Sequence, residues 1–483
     1  MAANNKKIYG AAATLCVAAT AGLIKFGWDG PAGAKAVPGH GGGSPSHAGG
    51  TGTVDRGAGG NGVSHFQQKP TNEPTVSVGE TPPPTTQAAG GESGFPSSQP
   101  AEEPKTFWTQ DRMTGDWGGL RTKLEDRGVK IDGSMTIAGD KTFKGGTSTA
   151  GNAESYKLSI GVTADLQKLA NINGGSTYVN FQATDGKTNT LDGAFQVTDQ
   201  AYIPRRVQVS ELWYQQNLFD GKLRLKVGKI DANTEFAFTA NGSEFVNSSM
   251  SYSPTILHMP TNPDPSTGLL GFVYLNDHLY AGVGMFDGSG ADGISTGDRG
   301  PATLFEHSLF FIGEVGAKWT TSAHQDGRVG VGAWGQTAHF ARYDGGTDDG
   351  TSGMYVVADQ MFWRMHSELD GDSQGIAGFF QYGYADPAIS PVEHHVGGGL
   401  TWTGMIPNRG SDIFGVGPTW VDFSHEPGAK FDDTGELDVE GFYKVMLTPW
   451  FSIKPDLQFL HNPGGVAGRP DTVVGSVQAS LTF

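Results

Sequence analysis

The sequence has 483 residues, of which 74 are glycine and 26 proline, and its 33 basic and 50 acidic side chains leave a formal charge of −17. A surface of that sign repels nucleic-acid phosphates, which argues against such a partner. Past the N-terminus no apolar run nears the roughly 20 residues of a spanning helix, which excludes a helical membrane protein. A membrane β-barrel, whose apolar residues fall at every second position, is not excluded.

Lys6 and Lys7 precede the apolar stretch IYGAAATLCVAATAGLI (Ile8–Ile24), and Ala32, Gly33 and Ala34 follow as small residues. A charged start, an apolar run and a small-residue site read as a secretory signal over 1–34, with an uncleaved anchor helix as the alternative. Cys16, the only cysteine, lies in this stretch, and TLC lacks the small residue that a lipoprotein signal places before its cysteine. Cleavage therefore leaves a mature chain without disulfides or thiol chemistry. Residues 35–106 (GHGGGSPSHAGGTGT and TPPPTTQ are typical) cannot bury enough surface to offset chain entropy and read as a disordered low-complexity linker. Its His40, His47 and His65 read as solvated side chains, so no metal is expected there.

Composition changes at Phe107. Two tryptophans and a short helical stretch, Leu120–Arg127, lead into strands and turns. In STYVNFQAT, Thr177, Val179, Phe181 and Ala183 oppose Ser176, Tyr178, Asn180 and Gln182; in LRLKVGK, Leu223, Leu225 and Val227 oppose Arg224, Lys226 and Gly228. This period of two marks strands with unlike faces. Sixteen such runs lie between Ile131 and Phe483, an even number that suits an all-β, antiparallel outer-membrane β-barrel over 107–483. Counts of fourteen or eighteen stay open. The last run, VGSVQASLTF, puts Val477, Ala479, Leu481 and Phe483 on one face and reads as a strand tied down at its end.

Tight connections (FDGK, LNDH, LTPW) alternate with long polar ones (Asp231–Gly268, FDGSGADGISTGDRGPATLFEH, YDGGTDDGTSG), the asymmetry of a membrane barrel. Trp319, Tyr343, Trp363, Tyr384, Trp402, Trp420 and Trp450 sit near strand ends, where a membrane girdle places aromatics. Other motifs fail their structural tests. GVGAWG (Gly330–Gly335) lies in a strand-like run with no helix after it, and EHH (Glu393–His395) lacks the i, i+4 histidines of a zinc protease. DGGTDDG and LDGDSQG lack the closing glutamate of a calcium loop. With no catalytic arrangement legible, an enzyme is not expected, nor a cofactor.

A set of ordered motifs resembles the carbohydrate-selective porins of the OprB type. They are TGDWGGLRTKLEDRGV (Thr114–Val129), ELWYQQNLFDGKLRLKVGKIDANTEFAF (Glu211–Phe238), FVNSS (Phe245–Ser249), YVVADQMFWR (Tyr355–Arg364), RGSDIFGVG (Arg409–Gly417) and EGFYKVMLTPWFSIKPDLQFLHNPGG (Glu440–Gly465). The resemblance covers roughly Trp108 to Phe483. It implies a sixteen-stranded barrel in the outer membrane of a Gram-negative bacterium, admitting mono- and small oligosaccharides by diffusion. It also implies that the assembly machinery recognises Phe483. Porins often form homo-trimers, although no interface patch is legible here.

A sugar-selective lumen needs hydrogen-bonding groups and flat side chains at a constriction. Asp231–Gly268 is the segment expected to fold into the barrel. Arg224, Lys226, Asp231, Glu235, Phe236, Asn247 and Glu314 are the candidate lumen and constriction residues. Asp359 and Arg364 have opposite parity on one strand, so both face the lumen only if a bulge intervenes. A general or cation-preferring porin, a secreted β-rich glycosidase or sugar-binding module, and a structural tether built on 35–105 are the alternatives.

Overall fold

A computed structural model describes residues 106–187, 189, 191–200, 205–299, 307–322, 324–367 and 372–483. The signal expected over 1–34 and nearly all of the expected linker lie outside the described residues. Sixteen strands run in chain order, and their bounds follow the sequence pattern closely. The first eight are β1 (Val129–Lys144), β2 (Asn152–Asp165), β3 (Gly175–Gly186), β4 (Arg206–Leu218), β5 (Leu223–Ile230), β6 (Ser266–Tyr274), β7 (Leu279–Asp287) and β8 (Leu309–Thr320). The second eight are β9 (Asp326–Ala341), β10 (Thr347–Arg364), β11 (Gly375–Ala385), β12 (Val392–Thr403), β13 (Ile413–Phe423), β14 (Gly435–Thr448), β15 (Phe451–His461) and β16 (Thr472–Thr482). Each pairs with its sequence neighbours, and β16 returns to β1 to close the barrel. All strand pairings are antiparallel.

Alternation sorts side chains between an apolar exterior and a polar interior. Phe181, Leu212, Val227, Val315 and Leu457 point outward and are 50–60 % exposed, whereas Asn180, Gln182, Lys226 and Glu314 are buried inside. This inverts a water-soluble protein and suits a wall facing hydrocarbon, where every backbone group must be paired within the barrel. Among the described residues no helix is long and apolar enough to cross a membrane.

The seam is held past the last strand. The Phe483 amide donates to the Gly133 carbonyl and the Gly133 amide to the Phe483 carbonyl, both at 2.8 Å. The Phe483 ring comes within 2.3 Å of where a Cβ on residue 133 would stand, so a side chain there would have to displace the ring. Residues 106–128 cap this end of the barrel. Helix α1 (Leu120–Asp126) precedes β1, Met113 donates to the Thr482 carbonyl, and Phe107 packs 4.9 Å from Trp450 in the two-residue β14–β15 turn.

One connection differs from its sequence reading. YDGGTDDGTSG is a hairpin extension rather than a long loop, because Thr347, Asp348 and Asp349 pair with Ala341, Phe340 and His339. Gly345 and Gly346, at φ +97° and +89°, make the turn, and Arg342 reaches both Asp344 and Asp348 across it. Tyr343 thus sits in the turn, its amide donating to the Ala388 carbonyl, and not at the level of the strand-end tryptophans. GVGAWG lies within β9, where its glycines make room: the Tyr355 ring stands 2.2 Å from a Cβ position on Gly332, and Glu314 stands 2.8 Å from one on Gly330.

Candidate functional site

The β5–β6 connection, residues 231–265, folds inward. Asp231 fixes its base, accepting from the Asn233 amide at 3.0 Å, the Thr261 hydroxyl at 2.8 Å and the Asn262 amide at 3.0 Å. Phe236, Phe245, Met250, Tyr252 and Ile256 are fully buried. Phe236 stacks on Phe272 of β6 with centroids 5.0 Å apart, and Phe245 packs edge-on to Phe379 of β11 and Phe442 of β14. The segment therefore has an apolar core of its own, shared with aromatics on opposite walls of the lumen.

On the β5 side it is held by ion pairs. Glu235 accepts from Arg224 at 2.7 Å and from Lys226. Burial raises the Glu235 carboxyl, but the Lys226 ammonium and the Arg224 guanidinium more than reverse this and hold it below its ordinary range. The guanidinium lies 4.7 Å over Phe272 and the ammonium 4.0 Å over Trp213. Next to this pair Glu314 of β8 gathers Tyr280 at 2.6 Å, Arg328 at 2.7 Å, Tyr355 at 3.0 Å and the loop amide of Ala237 at 3.0 Å.

On the far side strand carboxylates capture loop amides, and the loop's own Glu244 pairs with Lys444 of β14 at 3.0 Å and Lys454 of β15 at 3.7 Å. Asp359 of β10 accepts from the Ala240 and Asn241 amides at 3.1 and 3.0 Å. Glu440 of β14 accepts from Val246 and Asn247 at 2.5 and 2.9 Å, and Asp438 accepts from the Asn247 side chain. Glu436 does the same for a second inward segment, 191–200, accepting from Phe195 at 2.7 Å and Gln196 at 2.8 Å. In that segment burial pushes the Asp192 carboxyl up to about 6 while the Thr198 hydroxyl donates to it at 2.9 Å.

Between the inward loop and the short-turn end lies a cavity of about 1160 Å³. Its walls carry Arg224, Glu235, Phe238, Asn241, Phe272, Tyr274, Tyr280, Glu314, Lys318, Arg328, Asp359 and Arg364. Three of its guanidiniums are ion-paired: Arg224 to Glu235, Arg328 to Glu314, and Arg364 to Asp326. Amides, hydroxyls and neutralised guanidiniums beside the half-buried rings of Phe238 and Tyr274 can hydrogen-bond a polyhydroxylated solute and stack on its weakly apolar face, without a strong net field.

Of the seven candidate residues, Arg224, Glu235 and Glu314 line this cavity. Lys226 stands behind Glu235, while Asp231, Phe236 and Asn247 are buried in the base and anchoring of the loop. A register slip between Met361 and Trp363 does place Asp359 and Arg364 on one face of β10, and both line the cavity. The carboxylate wall was not anticipated, although ELDVE (Glu436–Glu440) carries acids at every second position, the pattern of one strand face. Arg328 and Tyr280 gave no comparable signal, since their role depends on meeting Glu314 across two strand pairs.

Comparisons with known proteins agree with this architecture. The chain is 23% identical over 460 residues to Porin B of Pseudomonas aeruginosa, covering 81% of this chain and 96% of that protein. It is also 23% identical over 434 residues to the putative porin QuiX of Acinetobacter baylyi, covering 78% and 94%. The high-pH structure of Pseudomonas putida OprB shares the fold, with a TM-score of 0.72 at 19% identity over 78% of this chain and all of that one. The model of the carbohydrate-selective porin OprB family matches residues 149–483, and with inward-folded loops inside a closed sixteen-stranded barrel, the chain belongs to that family.

Proposed function

We propose that this chain is a passive outer-membrane channel for mono- and small oligosaccharides, and that the cavity beneath the inward loop is where sugars are selected. The supporting observation is the pairing of Arg224 with Glu235 and Arg328 with Glu314 beside the Phe272 and Tyr280 rings. The paired groups offer directional hydrogen bonds and cancel the charge that would hold a counter-ion, and the half-buried Phe238 and Tyr274 rings offer flat faces. The polypeptide supplies a path and weak, reversible contacts, and no bond is made or broken. Short turns face the periplasm in such barrels, which assigns the long loops to the cell exterior. Phe483 is the residue offered to the assembly machinery, and a homo-trimer is the oligomer consistent with porins generally.

Planar-bilayer recordings of detergent-purified protein test this reading. Stepwise conductance that falls saturably with glucose or a disaccharide is expected. Deleting part of 239–258 should raise conductance and abolish the block; unchanged values would sink the assignment of the constriction. A second reading, cation preference, draws on the excess of carboxylates in the cavity wall: Glu235, Asp277, Glu314, Asp326, Asp359 and Asp372 face Arg224, Lys318, Arg328 and Arg364. A reversal potential of the sign for cations in a salt gradient, without sugar block, would favour it.

A further inference from the structure

His395 of the EHH motif turns inward, its imidazole meeting the Ser253 hydroxyl of the inward loop at 3.1 Å, whereas Glu393 stands in an unusual cluster on the outer wall at the long-loop rim. On β13, Thr419, Val421 and Phe423 are buried, while Trp420 faces outward, and Asp422 shares the face of Trp420 by strand parity. On β12, Val396 and Leu400 face outward and His394 shares their face. The β12–β13 register slips between Val392 and His394, so Glu393 is the extra residue of a bulge. Regular alternation would have turned it inward. The bulge instead brings its carboxylate together with that of Asp422 and the ring of His425, with one ligand atom from each lying within 4.8 Å of the others.

A second observation points to a cation. Both carboxylates are largely covered, their side chains 22 % and 16 % exposed, yet among the described residues neither is ion-paired to a lysine or arginine. Their ionisable partners are imidazoles: His425 at 3.8 Å from Asp422, and His394 at 3.6 Å from Glu393. Two covered carboxylates converging without a fixed positive charge repel each other, and a bound cation removes that repulsion. His394 is already oriented, because its Nδ1 meets the Tyr382 hydroxyl at 2.9 Å and its Nε2 is turned toward Glu393. An imidazole held through its other nitrogen is the arrangement that surrounds metal ligands.

We propose that Glu393, Asp422 and His425 bind a divalent transition-metal ion, Zn²⁺ by ligand chemistry, with His394 bordering the site. Mixed imidazole and carboxylate ligands suit Zn²⁺, whereas Mg²⁺ and Ca²⁺ favour all-oxygen shells. The bound ion ties the bulged start of β12 to the β13–β14 connection, outside the lumen and independent of sugar passage.

The test is isothermal titration of ZnCl₂ into the full-length protein folded in detergent, with sugar block recorded in parallel. Saturable binding is expected, with one site per chain lost in D422N/H425A and weakened at least tenfold in D422N alone. Far-UV circular dichroism and heat-modifiable migration should stay unchanged, as should sugar block. Zn²⁺ binding of the same stoichiometry and affinity in D422N/H425A would overturn the site and point to histidines elsewhere, such as His40, His47 and His65. Absence of saturable binding would overturn it too, and Mg²⁺ competing at equal concentration would overturn the metal class. Loss of sugar block in the wild-type protein bears only on the proposed function.

Discussion

The anchors of the inward loop at β5 and at β10 and β14 rest on different chemistry, although Glu244 adds an ion pair with Lys444 on the far side. On the β5 wall a loop carboxylate, Glu235, meets basic side chains of the strand. On the β10 and β14 walls strand carboxylates, Asp359 and Glu440, meet pairs of loop backbone amides. The first kind of contact depends on which side chain the loop carries. The second depends only on the path of its backbone. The ion pairs of Glu235, and of Glu244 with Lys444 and Lys454, therefore couple the loop's sequence to the pore's electrostatics, and the amide contacts of Asp359 and Glu440 fix where its backbone lies.

Neutralising each carboxylate at constant shape sharpens the contrast. Glu235→Gln should produce the largest effect, because it leaves two buried cations without an anion. Breaking a buried pair this way costs about 3–5 kcal/mol. Thermal unfolding should fall accordingly, and the reversal potential in a salt gradient should move toward anions. Glu440→Gln keeps an acceptor for one of its two amides and should cost only about 1–3 kcal/mol, with a modest rise in conductance and little change in ion preference. If Glu440→Gln moved ion selectivity as far as Glu235→Gln, the division between the two kinds of contact would fail.

Acidity separates the inward segments further. Glu235 is held below the ordinary glutamate value of 4.5, so the stability it contributes is present at neutral pH and is lost only as pH falls through its lowered folded value. Asp192 is raised from 3.8 to about 6, so its folded form prefers the proton, and stability falls as pH rises from about 4 through 6. Going from pH 7 to 5 should therefore slow amide exchange in 191–200, after correction for intrinsic rates, and leave the Glu235 contact intact. Asp192→Asn should remove that dependence. The smallest effect belongs to Arg342→Ala in the β9–β10 hairpin: conductance and sugar block should not change, since that turn does not line the cavity.

What the sequence revealed divides along the same line. Strand alternation is a one-dimensional pattern, so all sixteen strands could be read from it, and so could Arg224 and Lys226 on the inner face of β5. The length of Asp231–Gly268 and its family-like start marked it as the inward loop. Its amide contacts could not be read, because a backbone N–H has no letter. Glu440 finds Val246 only through the three-dimensional path of the loop. The β10 bulge was legible only as a condition, since parity showed that Asp359 and Arg364 conflict but not that Phe362 resolves the conflict.

Asp231 gives this architecture a practical consequence. One side chain joins the departure of the loop from β5 to its return at Thr261 and Asn262, so the entry and exit geometry is set before the intervening residues are chosen. The segment is in effect an interchangeable cassette on a fixed mount. New side chains at Phe238, Ala240 and Asn241, which line the cavity between the buried Phe236 and Phe245, could be screened for other solutes while the strand framework, and the seam at Gly133 and Phe483, is left untouched.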